Sequence, residues 1–248
     1  MDDMHARLKG VIENSDNIVF FGGAGVSTES GIPDFRSEDG IYNIEYAYPP
    51  ETILSHSFFM QNTGEFYRFY KEKLLYPHAK PNKAHLALAE LERRGKLKAI
   101  ITQNVDNLHN EAGSKNVLEL HGSCNRNYCM KCGAVYKLDI IINSNGIPRC
   151  TCGGTIKPDV VLFEEPLDQS VIERSVKAIR NAEVLIVGGT SLNVYPAAGL
   201  IQYYGGNQLV LINKSVTPYD KYANIVIHDS IGETLHMISI ASPNEKNL

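Results

Sequence analysis

Short unbroken apolar runs alternate with stretches of helical spacing along most of the chain. Met4, Leu8, Val11 and Ile12 fall on one face of a helix over about residues 4–14. The run Ile18-Val19-Phe20-Phe21 then reads as a strand buried on both faces. Ser37 to Pro50 is a tyrosine-rich loop, and Glu51 to Leu75 gives short helical pieces. The aromatic stripe in those pieces (Phe58, Phe59, Phe66, Tyr67, Phe69, Tyr70) predicts the core of a small helical module, with a ligand wall as the alternative. Pro81-Asn82 opens a helix that runs to about Arg94 and is ended by Gly95. Further strands are predicted at Leu97–Thr102, Val117–Leu120, Val160–Phe163, Val184–Val187, Leu209–Ile212 and Ile225–Ile227. Helices are predicted at Leu167–Arg180, from about Pro196, and after Ser230, with a frayed tail over Ser242–Leu248. This alternation implies an α/β fold with a doubly wound parallel sheet.

Composition narrows the class. The 248 residues are 43% hydrophobic and 21% charged, which is ordinary for a globule with a sizeable core. Net charge is −4, from 24 basic and 28 acidic side chains without a basic cluster, a poor footprint for nucleic acid. Met1-Asp2-Asp3-Met4 lacks a secretory pattern, and no apolar run reaches membrane-spanning length, so the expected compartment is the cytoplasm. The sequence does not fix an oligomeric state, and a monomer is the default expectation.

Four of the five cysteines cluster as Cys129-x-x-Cys132 and, seventeen residues on, Cys150-x-Cys152. Two tight turns bearing soft thiolates suit one tetrahedral structural zinc, with free buried thiols as the alternative. Cys124 is the spare and is expected in the core. A zinc ribbon can also meet nucleic acid, but Arg126, Lys131, Lys137 and Arg149 are too few to favour that use.

The densest chemistry lies in Gly22–Arg36 (GGAGVSTESGIPDFR), directly after the first strand. Gly23-x-Gly25 permits a tight turn, and Ser27 to Ser30 are cap-type residues able to open a short helix toward a phosphate. As a dinucleotide fingerprint it is imperfect, because the third glycine position holds Thr28. A plain strand-to-helix turn therefore stays open on these residues alone. Gly31-Ile32-Pro33 must end the helix and delivers Asp34, Phe35 and Arg36 together. Two later strand ends carry polar groups where an open parallel sheet binds ligands: Gln103-Asn104-Val105-Asp106, and Gly188-Gly189-Thr190-Ser191. His121 follows another strand and has the position of a general base, against a structural histidine as the alternative. His85 and His109 lie in helical patterns and read as packing or capping groups.

Together these motifs closely resemble the sirtuins, in a short bacterial-type form. The family's G-A-G-x-S and G-I-P-D-F-R appear as Gly23–Ser27 and Gly31–Arg36. Its T-Q-N-x-D-x-L-H appears as Thr102–His109, and its H-G as His121-Gly122. The cysteine knuckles, Gly189-Thr190-Ser191 and Asn213 follow in matching order, so the resemblance spans about residues 15–235.

The resemblance implies a Rossmann-like NAD-binding domain (1–36, 81–122 and 156–248) and a small domain from a helical module (37–80) and a zinc module (123–155). It implies an NAD-dependent protein lysine deacetylase that releases nicotinamide and forms O-acetyl-ADP-ribose from acetylated protein lysines. A protein mono-ADP-ribosyltransferase using the same NAD site is the alternative. By position, Ala24, Thr28, Phe35 and Arg36 would line the phosphate and nicotinamide-ribose region. Gln103, Asn104, Val105 and Asp106 would hold the ribose and the carboxamide, and Thr190, Ser191, Asn213 and Ile231 the adenosine end. His121 and Asn104 would be catalytic, with NAD consumed as a co-substrate. The zinc on Cys129, Cys132, Cys150 and Cys152 would be structural.

Val161 and Phe163 match positions that wall the acyl-lysine tunnel. Sirtuins preferring succinyl or malonyl groups carry a Tyr-x-x-Arg pair after the D-F-R loop. Here Tyr46 is followed by Pro49, and no arginine occurs from Ser37 to Tyr67, which favours acetyl. Two departures stand out: Gly22 replaces a common threonine, and Glu164 replaces the glycine of an F-G-E turn, with consequences expected for the peptide groove.

Overall fold

Neighbouring residues of one strand set the layers. In β1 (Ile18–Gly22) every residue is buried. Ile18 and Phe20 pack with Leu8, Ile12, Leu88 and Leu235, whereas Val19 and Phe21 pack with Ile179, Ala197 and Leu200. Side chains of a strand alternate between faces, so a run apolar at every position needs cover on both sides. The helices Asp3–Glu13, Lys83–Arg93 and Ile231–Ser239 cover one face, and Gln169–Asn181 with a 3₁₀ segment, Ala197–Tyr203, covers the other.

The computed structural model describes residues 3–37, 40–43 and 46–239. The expected frayed tail over Ser242–Leu248 lies outside them. After β1 come β2 (Leu97–Thr102) and β3 (Val117–Glu119), then β4 (Gly122–Cys129), β5 (Val135–Tyr136) and β6 (Ile156–Val160). The chain continues with β7 (Val184–Gly188), β8 (Gln208–Ile212) and β9 (Ile225–Ile227). Six of these form a parallel sheet in the order β3-β2-β1-β7-β8-β9. The order reverses between β1 and β7, which places a crevice at their carboxyl ends.

Local signals account for the helix boundaries. Asn82 caps the helix over Lys83–Arg93 by accepting from Ala84 N–H at 2.9 Å, and its own N–H donates to His85 Nδ1 at 3.2 Å. Asp168 accepts from Val171 N–H at 3.1 Å and starts the helix at Gln169, two residues after the expected Leu167.

The aromatic stripe forms its own core, as expected. Phe59, Phe66, Tyr67, Phe69 and Tyr70 cluster with Cys129, Cys150 and Ile156. The helices Pro50–Ile53, His56–Gln61 and Thr63–Lys73 thus share one apolar interior with a second sheet, antiparallel in the order β5-β4-β6. Burying each such side chain stabilises by roughly 1.5–3 kcal/mol.

Two expectations differ from the structure. The strand expected at Val160–Phe163 is not in the parallel sheet. The strand lies earlier, as β6, paired antiparallel with β4. Beyond Val160 the backbone bonds go to loops instead, with Phe163 N–H on Leu54 O and His56 N–H on Phe163 O, both at 2.9 Å. The helix expected from Pro196 is the 3₁₀ segment, fixed by packing Ala197, Ala198 and Leu200 on the sheet. No helix of the described residues is long and apolar enough to cross a membrane.

Candidate active site

A cleft of about 800 Å³ opens where β1, β2, β3, β7 and β8 end, facing the small antiparallel module. Its lining brings together every residue assigned by position to the NAD and acyl-lysine sites. On the sheet side these are Ala24, Thr28, Phe35, Arg36, Gln103 to Asp106, His121, Thr190, Ser191, Asn213 and Ile231. On the module side they are Val161 and Phe163.

The glycine turn is built for backbone contact. Gly25 N–H donates to Gly189 O at 2.8 Å, joining the turn after β1 to the turn after β7. A Cβ on Gly189 would lie 2.4 Å from Val26 N, and its φ is +60°, so no larger residue fits. This contact sits at the switch point of the sheet, where the cradle needs glycine on both sides. The short helix expected after Ser27 is a single 3₁₀ turn, Thr28–Ser30, stopped by Gly31 at φ 82°. The longer helix that starts at Ile231 already holds a carboxylate, because Glu29 accepts from Gly232 N–H at 2.9 Å and from Ser230 Oγ at 2.8 Å.

Ser27 ties the second strand end together. Its hydroxyl donates to Asp106 Oδ2 at 2.6 Å and accepts from Asn104 Nδ2 at 3.0 Å. Asp106 Oδ1 also accepts from Leu108 N–H at 2.9 Å. Burial pushes the Asp106 carboxyl up from its usual value, against the lowering effect of the Ser27 and Leu108 bonds. Each carboxylate oxygen keeps a further lone pair for an amide donor. Ser27, expected as a cap-type residue, makes no cap bond and bridges Asp106 and Asn104 instead, partners that a hydroxyl finds only once β1 and β2 are adjacent.

His121 is set as a base by one bond. Its Nδ1 lies 3.0 Å from Gln103 O. A carbonyl only accepts, so Nδ1 carries the proton and Nε2 the lone pair. Burial lowers the imidazole pKa below the usual 6.5, with the Gln103 carbonyl acting in the opposite direction. The ring is therefore neutral at pH 7 and able to accept a proton.

At the far end, Asn213 locks Thr190 through both amide atoms: it accepts from Thr190 N–H at 3.0 Å and donates to Thr190 O at 2.8 Å. Gln103 Nε2 donates to Thr190 Oγ1 at 3.1 Å and so links the two strand ends. On the loop, Asp34 Oδ1 accepts from Arg36 N–H and Ser37 N–H at 2.8 and 2.7 Å, and the Arg36 guanidinium lies 5.1 Å from the Tyr42 ring centre.

The four clustered thiols converge away from this cleft. Sγ atoms of Cys129, Cys132, Cys150 and Cys152 all lie within 4.8 Å of one another. Separations of 3.5 Å (Cys129–Cys152, Cys132–Cys152) and 3.6 Å (Cys132–Cys150) approach the roughly 3.8 Å edge of a tetrahedron with zinc–sulfur bonds of about 2.3 Å. The donor set fits one zinc ion with no position left for a substrate. Cys124 stands apart, buried in the module core, as expected. His85 and His109 are also buried away from the cleft lining, with ring centres 4.7 Å apart.

A family model described as the Sir2 family matches residues 23–196. The chain is 62% identical over 237 residues to the NAD-dependent protein deacetylase of Clostridium tetani (strain Massachusetts / E88), covering 94% of this chain and 96% of that protein. Its identity to the NAD-dependent protein deacetylase of Clostridium perfringens (strain 13 / Type A) is 61% over 239 residues, covering 95% and 98%. A solved Sir2–p53 peptide–NAD+ complex superposes with a TM-score of 0.83 at 39% identity, covering 94% of this chain and 95% of that one.

Proposed function

Because the chain belongs to the Sir2 family, we propose that it is an NAD-dependent protein lysine deacetylase acting on acetylated lysines of other proteins. The observation that carries the reading is His121, a neutral imidazole with its Nε2 lone pair free on the cleft side of Gln103. The glycine contact at the switch point and the linked Gln103, Thr190 and Asn213 side chains fit a dinucleotide. Bound there, NAD supplies an electrophilic ribose carbon from which nicotinamide leaves as the acetyl oxygen attacks.

The protein's own part is to orient and to move a proton. Asp106 and Asn104, fixed through Ser27, present an acceptor and a donor to the carboxamide and ribose. His121 Nε2 takes the proton of a ribose hydroxyl. Phe35, on the loop held by Asp34, limits return of nicotinamide. Val161 and Phe163 offer an apolar wall, which suits a neutral acetyl group. The thiolates of Cys129, Cys132, Cys150 and Cys152 would hold a structural zinc that ties β4 to the turn before β6.

The parallel sheet and its helices act as the NAD-binding domain, and the helical and cysteine-bearing modules as the small domain. Because β6 pairs with β4, the return to the larger unit is better drawn after Val160 than at 156. We propose further a monomer acting in the cytoplasm without nucleic acid: clustered cysteines without disulfide spacing suit a reducing compartment, and a net charge of −4 is a poor footprint for nucleic acid.

The test is nicotinamide release from NAD that depends on an acetyl-lysine peptide, with O-acetyl-ADP-ribose identified by mass spectrometry. Mass spectra containing ADP-ribosylated protein in place of that product would reassign the chain as a mono-ADP-ribosyltransferase.

A further inference from the structure

One ion pair at the edge of the cleft, a buried Lys157 with a part-exposed Glu165 that lines the cleft, has no part in this chemistry. Lys157 is 4% exposed and does not line the cleft. Its Nζ reaches Glu165 Oε2 at 3.0 Å, Val160 O at 3.1 Å and Pro158 O at 3.3 Å. Glu165 Oε2 also accepts from Leu162 N–H at 2.9 Å, and Oε1 from His56 Nδ1 at 2.8 Å. The pair thus grips the main chain on both sides of Val161, through the Val160 carbonyl and the Leu162 amide. Val161 N–H itself donates to His121 O at 3.0 Å.

An ammonium buried like that of Lys157 is a costly way to gain stability, because well-packed apolar side chains of similar size do as well or better. What it supplies here is direction. An ammonium with three fixed acceptors and a carboxylate with three fixed donors hold the segment 160–162 in a single arrangement. Apolar replacements have no such preference. The held segment is the wall against which an acyl-lysine must lie, one hydrogen bond away from the backbone of the base.

We infer that Lys157 and Glu165 are positioning residues for acyl-lysine recognition, acting through the main chain around Val161 to set the tunnel wall against His121. The inference rests on the deacetylase reading of the cleft. It assigns the pair to the peptide side, because Gln103, Thr190 and Asn213, assigned to NAD, are held to one another at the ends of β2, β7 and β8 and not by this pair.

The experiment measures two affinities on zinc-loaded full-length protein: a fluorescent acetyl-lysine peptide by anisotropy, and NAD by calorimetry. Kinetic KM values for both substrates accompany them. Glu165→Gln, which keeps the size and one acceptor, is expected to weaken peptide binding and raise peptide KM by about tenfold, as for the loss of one charge-assisted bond. NAD constants should stay within about twofold, and Lys157→Arg should stay close to the parent where Lys157→Met does not. A parallel loss of peptide and NAD binding would overturn the inference, as would unchanged peptide constants with only a lower melting temperature. If Lys157→Met fails to fold, Glu165→Gln and Lys157→Arg carry the comparison. Parent protein that binds the peptide but releases no nicotinamide would sink the deacetylase reading while the anisotropy series still decides the positioning. Parent protein that binds no peptide would overturn both.

Discussion

His85 and His109 make acid stability a measurable consequence of this core. The two rings pack 4.7 Å apart between the helix over Lys83–Arg93 and the first turn after β2, and both are buried. His85 Nδ1 accepts from Asn82 N–H, which leaves that ring neutral by its role as an acceptor. Burial lowers the His85 pKa to about 4. Burial, with a smaller contribution from the neighbouring His85, lowers that of His109 to about 3.

In the unfolded chain both titrate near 6.5. As pH falls through 6.5 the unfolded state therefore takes up protons that the folded state refuses. Stability is complete above 6.5 and is lost on acidification, until the folded values near 4 and 3 are reached. Between pH 7 and pH 5 linkage gives a loss of about 2 kcal/mol per ring, about 4 kcal/mol for the pair. The assay is urea unfolding of zinc-loaded protein at pH 7, 6 and 5, comparing the parent with His109→Phe. Thiolate protonation and zinc release are common to both proteins and cancel in the difference. The variant should lose about 2 kcal/mol less than the parent between pH 7 and 5. Equal losses would refute the claim that His109 is buried in its neutral form.

Further outcomes test the site, the fold around it and the thiol cluster. His121→Ala should lower kcat at least about a hundredfold, and the acid limb of kcat/KM in the parent should lie below pH 6.5, since lowering the pKa keeps the base neutral further into acid; a limb above 6.5 contradicts the burial argument. Gly189→Ala, with φ +60° and a Cβ 2.4 Å from Val26 N, should destabilise by at least about 2 kcal/mol and abolish NAD binding by calorimetry. Gly10→Ala, in a helix with nothing within 4 Å, should instead stabilise by about 0.5–1 kcal/mol, and a similar effect at both positions would refute the clash. Atomic absorption should find about one zinc per chain, and Cys150→Ser should lose the metal together with the cooperative melting of the small module.

The features legible in the sequence were those set by neighbours along the chain. Unbroken apolar runs marked β1, β7 and β8, Asn82 and Gly95 bounded a helix, and the cysteine spacing brought four thiols together. The polar strand ends were legible for the same reason, because a parallel sheet brings all its carboxyl ends to one side. Features decided by partners distant in sequence were not legible. Val160-Val161-Leu162-Phe163 has the composition of a buried strand, yet its backbone groups are taken by Lys157, His121, Glu165 and Leu54. The bridging role of Ser27 depends on Asp106 and Asn104, both far along the chain.

Glu164 shows how such a distant partner can bear on a local reading. As a residue standing where a turn usually has glycine, it was expected to change the backbone beside the peptide groove. The backbone instead keeps the left-handed conformation glycine would take, at φ 75°. That conformation costs a side-chain-bearing residue about 1–2 kcal/mol. The Glu164 carboxylate accepts from Ser57 N–H and from Ser57 Oγ, both at 2.9 Å, and two such bonds contribute about 1–3 kcal/mol together. The two effects are of similar magnitude and opposite sign, so the turn persists with a side chain that ties it to the helix starting at His56. Glu164 therefore takes a glycine-like backbone conformation and adds a tether to Ser57, a link that the residues next to it in the chain do not reveal.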